Sequence, residues 1–181
     1  MKRVTLLIWI PLLTLYQFAF SARPKEYSMK MYKVWCDFSP KFFNGSYCGV
    51  KPHRDQRGRF TLKAFIHREL KTLNVSVQLH QKTNIYRPFL LGYQVDVCKM
   101  MNGKGFNLLH RLSYLVMSKI SNCNHTCPFK GWFEVKDAIV ETKWIPSVLP
   151  DGLYRFDTQG VNEEGYVGAM KFYVIVTNPD F

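Results

Sequence analysis

Negative charge is scarce in this sequence. Asp and Glu number 13 against 25 Lys and Arg in 181 residues, a formal net charge of +12 with histidines neutral. No block of five or six like charges occurs, so the excess is spread along the chain and forms no basic tail. Two readings follow: anionic partners such as lipid or ligand head groups and acidic glycans, or a generally solvated basic surface. Local catalytic signatures are missing too. There is no Gly-x-Ser-x-Gly nucleophile elbow, no Gly-rich phosphate loop, no His-Glu-x-x-His helix and no obvious catalytic carboxylate pair. The histidines His53, His67, His80, His110 and His125 are scattered, which suits surface positions better than a catalytic group. An enzyme would need residues that converge in space without a local motif, so the chain is expected not to be one. No low-complexity linker, internal repeat or second long apolar run is present, which leaves one domain as the expectation.

What is present begins at the N-terminus. Met1-Lys2-Arg3 leads into an apolar stretch over residues 4 to 20, and Ala19 and Ser21 are small residues spaced as a signal peptidase reads them. The pattern predicts a signal peptide over 1 to 21 and a secreted, extracellular mature chain over 22 to 181. A signal anchor is disfavoured, because the run falls short of the roughly 20 residues that span a bilayer. Without Lys2 and Arg3 the mature chain keeps 23 basic against 13 acidic residues, a net charge of +10. Sequons at Asn44, Asn74 and Asn124 are consistent with passage through the glycosylation pathway and predict surface positions for those residues. Nucleic acid is not an expected partner in that compartment.

The dominant hydrophobic period is two. Phe60, Leu62, Ala64 and Ile66 alternate with Arg59, Thr61, Lys63 and His67. Leu73, Val75, Val77 and Leu79 alternate with Asn74, Ser76, Gln78 and His80, and Phe89, Leu91, Tyr93, Val95 and Val97 form a third run. Phe133, Val135 and Ile139 suggest another strand, Tyr154 and Phe156 the next, with Pro146, Pro150 and Asp151-Gly152 marking the turn before it. Residues 166 to 177 are apolar on both faces, as in a central strand. With a strand near Tyr32 and Phe38, the count is about seven, as in an antiparallel β-sandwich. One segment departs: Leu108, Leu109, Leu112, Leu115, Val116 and Ile120 recur at helical spacing, predicting an amphipathic helix with Asn107 as N-cap. Such a helix either packs routinely or covers a ligand cavity.

The cysteines are Cys36, Cys48, Cys98, Cys123 and Cys127, an odd number that leaves one thiol over or linked to another chain. Cys123-x-His125-x-Cys127 matches no common zinc spacing, and Cys-x-x-x-Cys is not the redox spacing, so neither a metal nor a redox cofactor is expected. Four segments, Arg87-Pro88-Phe89-Leu90, Val95-Asp96-Val97-Cys98-Lys99, Asn124-His125-Thr126-Cys127-Pro128-Phe129 and Leu149-Pro150-Asp151-Gly152-Leu153-Tyr154, occur in an order that resembles a large insect family of secreted proteins. That family, labelled a domain of unknown function, includes the CheB chemosensory proteins and is similar to the ML lipid-recognition domains and the ganglioside activator protein. The resemblance runs from about Cys36 to Val176.

The resemblance implies an immunoglobulin-like sandwich whose sheets part to admit a lipid or pheromone-like molecule. It also implies bridges from Cys98 at the end of the third strand to Cys127, and from Cys36 to Cys48, with Cys123 unpaired. Inward registers then nominate a pocket of Phe60, Leu62, Val75, Val77, Phe89, Leu91, Tyr93, Phe133, Tyr154, Phe156 and Phe172. Lys82, Arg87, Lys99 and Lys104, near strand ends and the helix entry, are candidates for a mouth that pairs with an acidic head group. The competing expectation is an extracellular interaction protein or co-receptor without a lipid, either a monomer or a dimer linked through Cys123. A cell-surface receptor and peripheral membrane contact are further expected partners.

Overall fold

The computed structural model describes residues 27–53, 57–90, 92–102, 108–123, 125–139 and 149–178. The proposed signal peptide, Asn107 and Pro146 lie outside them. The chain folds as an all-β antiparallel sandwich, with two helical segments among the described residues. The strands are β1 (Ser28–Phe38), β2 (Phe43–Lys51), β3 (Arg59–Leu70), β4 (Asn74–Lys82), β5 (Tyr86–Pro88), β6 (Tyr93–Asp96), β7 (Phe129–Ala138), β8 (Gly152–Asn162) and β9 (Gly165–Thr177). Between β6 and β7 come α1 (Val97–Met101) and α2 (Leu108–Ile120). The large sheet runs β1-β9-β8-β4, with β5 and β6 both on the far edge of β4, and the small sheet runs β2-β3-β7.

Among the described residues there are nine strands in place of the roughly seven that periodicity suggests, for two local reasons. The first is β2, whose residues are polar or half-exposed along its length and carry no alternating signal. The second is a break in the third apolar run. β5 pairs with His80 to Lys82 and β6 with Asn74 to Val77, so both halves flank the same edge of β4. Between them Leu90 takes a positive φ of 60°, and the Gln78 amide donates to the Leu90 carbonyl at 3.2 Å. Gly92 lies close against β4, since a Cβ there would stand 2.5 Å from Gln78 Oε1 and 3.0 Å from the Val77 carbonyl oxygen. The helix α1 is likewise unannounced by apolar spacing: Val97 begins it, and Cys98 lies within it, not at a strand end. Asp96 ends β6 and caps α1, its Oδ1 accepting from the Lys99 backbone N–H at 2.9 Å.

Other expectations hold. Phe60, Leu62, Ala64 and Ile66 on β3 are all buried. β9 is central in the large sheet, between β1 and β8. In β7 the register shifts between the Leu62 and Phe60 pairings, with Asp137 at φ 46°, so Ala138 and not Ile139 takes the next inward place opposite Phe60. The Leu149 to Asp151 segment is locked to the end of β9: the Asn178 amide donates to the Leu149 carbonyl at 2.9 Å, and the Asn178 N–H donates to Asp151 Oδ1. Among the described residues no helix is long and apolar enough to cross a membrane.

The disulfides Cys36–Cys48 and Cys98–Cys127 both form, and Cys123 is free and buried. The first ties β1 to β2 across the two sheets. The second ties α1, just past β6, to the segment entering β7.

Candidate functional site

The large sheet spans five strand positions and the small sheet three, so at about 4.8 Å per strand the large sheet is wider by roughly 10 Å. The sheets meet on the side of β1 and β2, where Phe38 and Phe43 lie 5.0 Å apart, and at β3 and β9, where Phe60 meets Phe172 edge-on at 5.2 Å. The inner face of β4 and its neighbours extends past that contact. On this side, Ser121 pairs with Val135, and Asn122 exchanges backbone and side-chain hydrogen bonds with Trp132 and Glu134. The C-terminal end of α2 is thereby fixed against the free edge of β7, which puts the helix on the open side of the sandwich. Val116, Met117 and Ile120 are half-buried there, and Tyr114 and Leu115 face solvent.

The buried core is divided. One cluster gathers Phe42, Leu70, Val95, Val97, Met100 and Phe129 at the end held by Cys98–Cys127, and the other gathers Met29, Phe60, Leu62, Tyr154, Val174 and Val176 toward the opposite end. At the margin of the second cluster the inner face of the large sheet is apolar and, among the described residues, incompletely covered. Register places Val77, Thr158 and Met170 in one row and Leu79, Phe156 and Phe172 in the next, and all six are only half-buried. In a fully packed sandwich these central inward positions would be the most deeply buried of all.

The eleven residues nominated from the sequence separate accordingly. Phe60, Leu62 and Tyr154 are 5%, 1% and 0% exposed, so they belong to the packed end and not to an accessible wall. The Tyr154 hydroxyl is committed as well, accepting from the Gln81 amide at 3.2 Å and donating to the Pro150 carbonyl at 3.0 Å. Burial pushes its pKa up. Val75, Val77, Phe89, Tyr93, Phe133, Phe156 and Phe172 are half-buried, and Leu91 lies outside the described residues. Phe133 packs against both clusters and stands between them. Leu79, Met170 and Thr158 share this face and were not nominated. Alternation points to Leu79 directly, whereas Met170 sits in a strand apolar on both faces, where parity cannot choose.

The four basic residues do not form one mouth. Lys82 and Arg87 are exposed where β4 turns into β5, whereas Lys99 lies on α1 beside the other end of β4, roughly 26 Å away for a nine-residue strand. Lys99 is also paired, 3.3 Å from Asp96 Oδ2. Lys104 lies outside the described residues. Among the described residues no three His, Cys, Asp or Glu side chains are grouped to hold a metal. His80 is 3.5 Å from Asp157 on the outer face of the large sheet, where Arg155 already holds Asp157 through two bonds of 2.6 and 2.7 Å.

No curated protein matches the chain. Among solved structures, chicken MD-1, whose structure is titled as a complex with lipid IVa, superposes with a TM-score of 0.39 and 15% identity over 83% of this chain and 98% of that one. Residues 73–156, from the residue before β4 to the middle of β8, match the family model described as a protein of unknown function, DUF1091.

Proposed function

We propose that the protein is a secreted carrier of a small hydrophobic molecule, a lipid or pheromone-like compound, held against the inner face of the large sheet. One observation carries this reading: Val77, Leu79, Phe156, Met170 and Phe172 point inward from the large sheet and remain half-exposed, Val77 in neither packed cluster and the other four at the margin of the second. An elongated apolar ligand would take up that surface, with the hydrophobic gain of about 25 cal/mol per Å² removed from water. In this reading residues 1 to 21 direct secretion, residues 22 to 181 form one ML-like domain, and the protein binds without catalysing a reaction. The reading extends to work in chemosensory fluid, which the resemblance carried by the four sequence segments supports, with a cell-surface receptor or a membrane as the proposed point of delivery. Lys82 and Arg87 are the cations available to an acidic head group at the β4–β5 end.

The test is to fill the space. Val77 belongs to neither packed cluster, so Val77→Trp is expected to fold with an unchanged urea midpoint while losing affinity for a fluorescent fatty acid probe by tenfold or more. A Val77→Trp protein that binds the probe as the wild type does would contradict the assignment.

A further inference from the structure

Trp132 is the most exposed aromatic side chain among the described residues, at 55%, although Phe65 meets its ring at 5.2 Å and Lys63 stands 4.6 Å from its centroid. With Phe65 it forms an aromatic pair on the outer face of the small sheet. The strand register places a sequon beside this pair. Asn44 pairs with Phe65 across β2 and β3, and Phe65 pairs with Trp132 across β3 and β7. Phe43, opposite the buried Ile66, turns inward, so Asn44 turns outward and shares the face of Phe65 and Trp132. Neighbours in such a row stand about 5 Å apart, within reach of the first sugars of a chain attached to Asn44.

The backbone next to Asn44 is shaped for access. Gly45, the middle residue of Asn44-Gly45-Ser46, adopts φ +63° at a bulge in the β2–β3 register, and a Cβ built there would meet nothing within 4 Å. A second sequon repeats the arrangement on the other sheet: Asn74 is exposed and pairs with Val161, which pairs with Tyr166, and these two are 39% and 37% exposed.

We propose that Asn44 is glycosylated and that the Phe65–Trp132 pair is the seat of its glycan, the inner sugars laying their apolar C–H faces on the indole while their hydroxyls stay in water. This rests on the secreted reading given above. Site occupancy at Asn44 and Asn74 is measured by peptide mass spectrometry on protein from a glycosylating secretory host. Acrylamide quenching and thermal melting follow, before and after enzymatic glycan removal. Asn44 is expected to be occupied. Glycan removal is expected to increase quenching of Trp132, identified by difference against Trp132→Phe, and to lower the melting temperature by about 2–4 °C. The melting shift should be lost in Asn44→Gln and in Trp132→Ala and retained in Trp132→Phe. Occupancy at Asn74 with none at Asn44 would overturn the proposal while leaving secretion standing. An occupied Asn44 whose removal changes neither quenching nor melting would overturn it as well. Absence of glycan at both positions on protein recovered from the medium would overturn this inference while leaving secretion standing, and failure of the protein to reach the medium would remove the secreted reading and this inference with it.

Discussion

Cys123 is a packed side chain before it is a reactive one. It is 9% exposed within the cluster of Phe42, Met100 and Phe129, and burial pushes its thiol up to about 11 from 9.0. At neutral pH it is therefore protonated and shielded, which argues against the covalent dimer that an odd cysteine count allows. Alkylation at pH 8 is predicted to be far slower in the native protein than in urea-unfolded protein with its disulfides intact, and native labelling at the unfolded rate would refute this. The sign of the linkage is defined. The unfolded thiol ionises from about pH 9 while the folded one holds its proton toward 11, so this group's contribution to stability falls across that window. Contrasting substitutions separate packed from lining positions. Leu62→Ala, in the packed cluster, is predicted to cost about 2–5 kcal/mol in urea unfolding. Leu79→Ala, on the half-covered face, is predicted to cost less than Leu62→Ala and to weaken probe binding, and equal costs at the two sites would contradict the distinction.

At the scale of elements, two covalent ties and one glycine set the frame of the site. Cys98–Cys127 closes a separation of 29 residues, and loop-closure entropy predicts that Cys98→Ala with Cys127→Ala costs about 4 kcal/mol, near 3 for the 12-residue separation of Cys36–Cys48. Chemical denaturation of each double variant checks the order. Gly92→Ala is predicted to destabilise by about 1–3 kcal/mol, because its new methyl would meet Gln78 Oε1 at 2.5 Å and the Val77 carbonyl oxygen at 3.0 Å. A neutral effect would show that the break between β5 and β6 is loosely held. Strong alternation made β3 and β4 readable from sequence, and the two apolar faces of β9 marked it as central. β2 was illegible because its side chains face solvent or are half-covered on both sides. The break before β6 had a signal in Gly92, but an isolated glycine in an apolar run does not reveal which carbonyl lies against it. α1 depends on one capping side chain, Asp96, and is too short to show a period.

For the whole molecule, the decisive feature is a mismatch in size. Among the described residues, three strands do not cover a sheet five positions wide, and α2, tied to β7 at its C-terminal end, stands on the side they leave open. Alternation identified which residues face inward. It could not separate a filled interior from an open one, because Leu62 and Val77 obey the same parity and differ only in what lies opposite. The spread of basic charge also followed from composition, but the separation of Lys82 and Arg87 from Lys99 required the pairing of β4 with β5 at one end and β6 at the other. The central claim is an apolar interior that carries a molecule. Native mass spectrometry of protein secreted from cells, weighed before and after organic extraction, tests it most directly. The account predicts an extractable mass of a few hundred daltons beyond the glycans, restored when the stripped protein is incubated with a fatty acid. No extractable mass, together with no uptake of fatty acid by the stripped protein, would contradict it.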